Sequence, residues 1–253
     1  MRQRLVVLGS APALSSAERD NTYLFFDSPG DGLLIDCAGS PYQKLLKAGG
    51  DPGRLRRVLI THAHPDHIYG LPSLVHELWL SGRREPFHIY ANADAQRAVR
   101  VLLGLFELWD KPFPVELHLI LPEEGFLLVE GEEYLLHTTP VCHPGPTNAV
   151  RVTPKLGQKV VTYSSDTRPC PELVAFARGS NLLFLECTAE EPHKVHLTPE
   201  EAGQIAQEAA AERLILVHYP ESMAQDPEGT MARVRKFYEG EVELARDFSA
   251  YEV

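Results

Sequence analysis

Residues 57–61, "RVLIT", read as a buried strand, and "HAHPDH" follows them at once. No other feature of the chain limits the possible folds so sharply. A strand of this kind delivers three histidines and an aspartate to a single strand end, and polar groups of that type do not stay there without compensation. In extended backbone, residues two apart point the same way, so His62 and His64 can hold one metal ion. The turn at Pro65 directs Asp66 and His67 to a second ion. The bland alternative, in which Asp66 caps a short helix beginning near "HIYG", leaves the histidines without a purpose.

One such motif leaves both ions short of ligands, so further ligands are expected at other strand ends. Three runs supply them: "YLLHTTPVCH" ends in His143, "KVVTYSSD" in Asp166 and "LILVH" in His218. A carboxylate such as Asp166 can bridge two cations, and one more histidine on each side leaves a coordination position open to water.

Strand-like runs recur at 5–8, 22–26, 32–36, 57–61, 87–91, 134–138, 159–165, 182–186 and 214–218. Amphipathic stretches at 72–82, 94–109 and 198–212 lie between several of them. Short strands mixed with helices predict an α/β or α+β sheet protein. The last helix is the best signalled: Thr198 can cap it, Pro199 suits its first turn and Glu201 completes a T-x-x-E capping box. No repeat, low-complexity tract or flexible linker divides residues 1–253, so one domain is expected.

Taken in order, these segments resemble the metallo-β-lactamase superfamily, and within it the ribonuclease Z-like branch. The resemblance runs along nearly the whole chain through "VVLGSAPAL", "LLIDCAGS", "THAHPDHIYGLPSL", "PVCH", "YSSDTRPC", "LLFLECTA", "HLTPEEAGQIA" and "LVHYP". It implies a four-layer αββα sandwich with a dinuclear metal site where the two sheets meet. By that implication His62, His64 and His143 hold the first ion, Asp66, His67 and His218 hold the second, and Asp166 bridges them. The same resemblance places His196 at a catalytic histidine, Glu186 at its carboxylate partner, and Asp66 in the catalytic set. A histidine held by a carboxylate has its protonated form stabilised and can donate to a leaving oxygen. His76, His88, His118, His137 and His193 match nothing in the family pattern and are taken as structural.

The departures bear on substrate. Ribonuclease Z carries a long arm for precursor transfer RNA between its third histidine block and its bridging aspartate. Here only 22 residues separate His143 from Asp166, room for a hairpin and little else. The formal charge is −11, and the basic runs "RLRR" and "GRRE" are too small for a nucleic-acid footprint. Ser165 stands where a glycine is usual, and "HPGPTNAVRV" lacks the usual glycine–tyrosine pair.

The expected function is therefore a dinuclear metal-dependent phosphodiesterase acting on a small phosphodiester, cyclic phosphate or short nucleotide. A water between two ions about 3.5 Å apart becomes hydroxide and attacks phosphorus in line, while His196 protonates the leaving alcohol. Hydrolysis of an ester, thioester or lactone is the first alternative, since it uses the same ions without His196 and Glu186. A ribonuclease Z-type 3′ endonuclease and a non-catalytic metal- or nucleotide-binding protein stand behind it. Zinc suits the imidazole-rich set best, and manganese or iron is compatible. Scattered cysteines without a CxxC pair and the lack of a ~20-residue apolar run point to a cytoplasmic protein free of the membrane, and a homodimer is compatible with the sequence. The apolar run near the N-terminus reads as a first strand rather than a secretory signal.

Overall fold

The computed structural model describes residues 3–156 and 159–253. In the first sheet lie β1 (Arg4–Gly9), β2 (Tyr23–Asp27), β3 (Gly32–Ile35), β4 (Leu55–Ile60), β5 (Phe87–Ala91) and β6 (Val115–Leu119). The second contains β7 (Phe126–Glu130), β8 (Tyr134–Pro140), β9 (Asn148–Pro154), β10 (Val161–Tyr163), β11 (Leu182–Glu186), β12 (Arg213–Val217) and β13 (Glu241–Leu244). Strand β14 (Ala250–Glu252) then returns to the first sheet, beside β1. Each sheet has seven strands, in the orders β14-β1-β2-β3-β4-β5-β6 and β13-β12-β11-β10-β9-β8-β7.

Alternation along the strands produces the layers. In β2, Tyr23 and Phe25 enter one core while Leu24 and Phe26 enter another; in β11, Leu182 and Phe184 face one way and Leu183 and Leu185 the other. Strands buried on both faces read as continuous apolar runs, which is why "YLFFD" and "LLFLE" stand out in the sequence. The shared core, with Leu24, Phe26, Tyr163, Phe184 and Val217, lies between the sheets. Outside it, the first sheet is covered by α1 (Pro41–Lys47), α3 (Leu71–Leu80) and α4 (Ala93–Leu105). The second is covered by α5 (Pro171–Ala177), α6 (Pro199–Glu208) and α8 (Pro227–Val234). Short α2 (Pro65–Ile68) and α7 (Glu221–Gln225) complete the αββα sandwich. No described helix is long and apolar enough to cross a membrane.

Helix α6 shows how local signals and packing agree. Its capping box is present, with Thr198 accepting from the Glu201 amide and the Glu201 carboxylate accepting from the Thr198 amide. Gly203 costs helix propensity, about 1 kcal/mol relative to alanine, but a Cβ there would lie 2.6 Å from the Val234 carbonyl oxygen of α8. The glycine is what lets the two helices approach.

Several boundaries differ from the sequence reading. The 94–109 stretch is helical only to Leu105, because Leu108 reaches the core from a turn. The 159–165 run is a strand only over Val161–Tyr163, after which the backbone turns out of the sheet. The rejected capping role for Asp66 is not seen either, since His64 holds the N-cap position of α2 and makes no side-chain cap bond. The apolar run near the N-terminus is β1, paired on both sides. Strands β9 and β10 pair antiparallel, as the short connection requires.

Candidate metal centre

The parallel strands β4, β10, β11 and β12 all end at one edge of the sandwich, the place where open α/β sheets gather ligands. His62, His64, Asp66 and His67 follow β4, Asp166 follows β10, Glu186 closes β11 and His218 follows β12. His143 comes from the turn after β8. The amide of Asn148 donates to the Thr61 carbonyl, as does the Asn92 side chain, so the sheets are tied together beside the cluster.

Two sets of ligand atoms result: His62, His64, His143 and Asp166 form one, and Asp66, His67 and His218 form the other. In the first, His62 Nε2 and His143 Nε2 lie 3.0 and 3.3 Å from His64 Nδ1, and each lies 3.9 Å from Asp166 Oδ2. In the second, Asp66 Oδ2 lies 3.3 Å from His67 Nε2 and 3.4 Å from His218 Nε2. Asp166 Oδ1 lies 3.5 and 3.4 Å from the same two nitrogens. Donors around a tetrahedral zinc ion stand about 3.3 Å apart, so both sets have the size of a coordination shell. Asp166 presents one carboxylate oxygen to each.

The outer contacts fix which nitrogen of each ring is left bare. His67 donates from Nδ1 to Asp36 Oδ2 at 2.8 Å, and His143 donates from Nδ1 to the Val195 carbonyl at 3.2 Å. The Thr188 hydroxyl donates to the His218 carbonyl and therefore accepts from His218 Nδ1. In the same way Thr61 donates to Asp36 and accepts from His62 Nδ1 and Ser165. His62, His67, His143 and His218 thus spend Nδ1 on outer partners and turn Nε2 inward, the nitrogen that a metal ion would take on displacing any proton there. His67 Nε2 and Asp166 Oδ1 are buried without a hydrogen-bond partner. Such atoms are costly in a protein interior, and a cation would satisfy both. The donor set fits two divalent ions.

Electrostatics follow from this crowding. Burial, with help from the neighbouring His67, pushes His62 well below its ordinary value. Burial would lower His67 too, but Asp166 and Asp36 outweigh it and raise that imidazole. Burial raises Asp66 and Asp166; contacts with His218 and His67 reverse the effect at Asp66, and the nearby charge of His218 and His67 reverses it at Asp166, holding both carboxyls well below the usual range. Backbone strain is concentrated here as well: Asp36, Ser165 and His218 have φ of 63°, 54° and 53°. A left-handed conformation costs a side-chain-bearing residue about 1–2 kcal/mol, and glycine would bear it without strain at position 165. Here the Ser165 hydroxyl donates to Thr61 at 2.8 Å in partial return.

Above the two sets stands His196. Its Nδ1 lies 2.8 Å from Glu186 Oε1, and its ring centroid is 5.3 Å from that of His143 and 6.2 Å from that of His218. Glu186 is fully buried and accepts from the amides of Thr167, Leu197 and Thr188 as well. Burial lowers His196, but the Glu186 hydrogen bond and charge overcome it and raise the imidazole above its ordinary value.

Every site residue singled out in the sequence is brought to this edge. The sequence reading missed Asp36, Thr61 and Thr188. Asp36 had one available signal, an aspartate closing the apolar run "LLID".

Residues 32–219 match the beta-lactamase superfamily domain; the chain belongs to that superfamily. Its curated relatives include a ribonuclease Z of Methanothermobacter thermautotrophicus, 29% identical with 83% of this chain and 84% of the relative covered. Another is a ribonuclease Z of Myxococcus xanthus, also 29% identical, covering 96% and 95%. That second alignment runs over 301 positions although this chain has 253 residues, so the relative carries segments with no counterpart here. Among solved structures, the metallo-beta-lactamase fold protein YhfI of Bacillus subtilis superposes with a TM-score of 0.83 at 24% identity over the whole of both chains. The short form of human tRNase Z gives 0.81 at 22%, covering 99% of each chain. A diphosphatase of the PhnP family gives 0.78 at 21%, covering 100% of this chain and 98% of the other. These structures share the fold. The ribonuclease Z relatives support a metal-dependent hydrolase of the phosphodiesterase kind.

Proposed function

We propose that residues 1–253 form one hydrolase domain that cleaves small phosphodiesters, such as a cyclic phosphate or short nucleotide, with two divalent ions held by the seven ligands above. The observation that carries this reading is the Glu186–His196 pair set over both ligand sets. When bound, the ions acidify water and neutralise charge on a phosphoryl group. Asp166 holds the two halves of the centre in register, and Asp66 completes the second set. His196, whose protonated form Glu186 stabilises, donates its Nε2 proton to the leaving alkoxide, the step that a phosphodiester with a poor leaving group needs most. A thioester, whose thiolate leaves without a proton, would leave this pair without a task.

Zinc is favoured by the imidazole-rich donors. The free cysteines Cys37, Cys142, Cys170 and Cys187 suit a reducing compartment such as the cytoplasm.

A second reading is supported by the names of the relatives, namely 3′ processing of transfer RNA precursors. Against it stand the 22-residue span between His143 and Asp166, too short for an arm, and the −11 charge, which offers no grip for a polyanion. A panel of chromogenic phosphodiesters, phosphomonoesters, lactones and thioesters, assayed with zinc- and manganese-loaded protein, tests the proposal. Phosphodiesters should be turned over fastest. Preference for a lactone or thioester would refute it.

A further inference from the structure

We propose that His88, Glu116 and His118 form a separate metal site at the solvent edge of the first sheet, taking one divalent first-row transition-metal ion. None of these residues belongs to the catalytic edge. Strands β5 and β6 are parallel, with His88 opposite Glu116 and Tyr90 opposite His118. Phe87, Ile89 and Ala91 pack under the helices, as do Val115 and Leu117. Alternation therefore sends His88, Glu116 and His118 together to the other face. They emerge where β6 ends the sheet, with side-chain exposures of 27%, 46% and 37%, open enough for an ion to enter.

Three atoms converge there. His88 Nδ1 lies 3.1 Å from His118 Nε2 and 3.2 Å from Glu116 Oε2, and the remaining pair is 3.7 Å apart. A triangle of this size is one face of a zinc tetrahedron, whose edges are about 3.3 Å. Hydrogen bonding uses the same atoms poorly. The single proton of His88 Nδ1 can satisfy one neighbour, and 3.7 Å is too long for a bond between His118 and Glu116. The ring of Tyr90 stacks on His118 with centroids 4.7 Å apart and planes 20° apart, which fixes the imidazole.

Ligands carried on paired strands are better preorganised than ligands on loops. Two imidazoles with one carboxylate select transition metals over calcium or magnesium, and solvent fills the remaining position. The cations felt by His88 are Arg57 and Arg83. Arg57 is ion-paired with Asp31, and Arg83 donates to the carbonyls of Leu55, Glu85 and Pro86. An ion at this site would bind the edge strand β6 to β5 and so stabilise the native state.

Equilibrium dialysis against zinc, followed by elemental analysis, tests this on the full-length wild type, His118→Ala and the milder Glu116→Gln, with circular dichroism to verify folding. The wild type should retain one more zinc per chain than His118→Ala, and Glu116→Gln should release that zinc at lower chelator concentration. Phosphodiester hydrolysis should stay within twofold of wild type in both variants. Because the readout is a difference, it holds however many ions the catalytic edge binds. Equal zinc content in folded wild type and His118→Ala would overturn the site.

Discussion

His67 donates from Nδ1 to Asp36 at 2.8 Å and thereby aims its Nε2 at Asp166, 3.5 Å away. Asp36 contributes no atom to either ligand set, yet it also accepts from the amide and hydroxyl of Thr61 and so holds the strand end on which His62 sits. Removing such an outer partner usually weakens metal binding by 10–100-fold. Asp36→Ala is expected to fall in that range for the more weakly held ion, as measured by competition with a chromogenic chelator. Affinity equal to wild type would show that packing alone orients His67.

Asp166 is expected to matter more, since among the described residues its carboxylate faces both sets. Elemental analysis of protein purified with zinc should approach two catalytic ions per chain, counted in a His118→Ala background to exclude the β5–β6 site. Asp166→Ala should lose at least one of them. A saturated protein with a single ion would contradict the dinuclear centre.

How far the sequence reveals such a site depends on the distance over which its parts act. The ligands are legible because they follow strands closely, several of them crowded into one short motif, where polar clusters have no packing role. Asp36 is not, because its contact with His67 depends on a left-handed turn at φ 63° and on β3 lying beside β4. Thr188 is invisible for the same reason: its role depends on β11 lying beside β12. Among the strands, the double-faced β2 and β11 are plain, whereas β6, "VELHL", at the sheet edge, mixes charged and apolar residues in five positions and escapes notice. The His88–Glu116–His118 set escapes with it, since only strand register brings those residues together.

Transfer RNA precursors should be poor substrates. With only 22 residues between His143 and Asp166 and a −11 charge, binding should be weak, and its logarithm should change little with the logarithm of salt concentration. Electrophoretic mobility shifts and cleavage assays at 50 and 200 mM salt check this. Efficient cleavage at a defined 3′ position would restore the ribonuclease reading.

His196 gives the sharpest test of the chemistry. If it is the proton donor, His196→Ala should retain its metals and lose about 10²–10⁴ in rate on a diester with an alkyl leaving group. A nitrophenolate leaves without a proton, so the same variant should lose far less on an activated bis-nitrophenyl ester. The pH profile supplies a second, independent signature. Glu186 raises His196 above its ordinary value, so the donor is present below that raised value and is lost as pH climbs through it. Rates on the alkyl diester should therefore fall on the alkaline side, while rates on the activated ester should not. Glu186→Gln removes the raising charge, so the falling limb should move to lower pH while the metal content stays the same. Equal losses on both substrates, or a limb that Glu186→Gln leaves in place, would mean that His196 shapes the pocket without moving a proton, and the preference for phosphorus over carbon esters would lose its chemical basis.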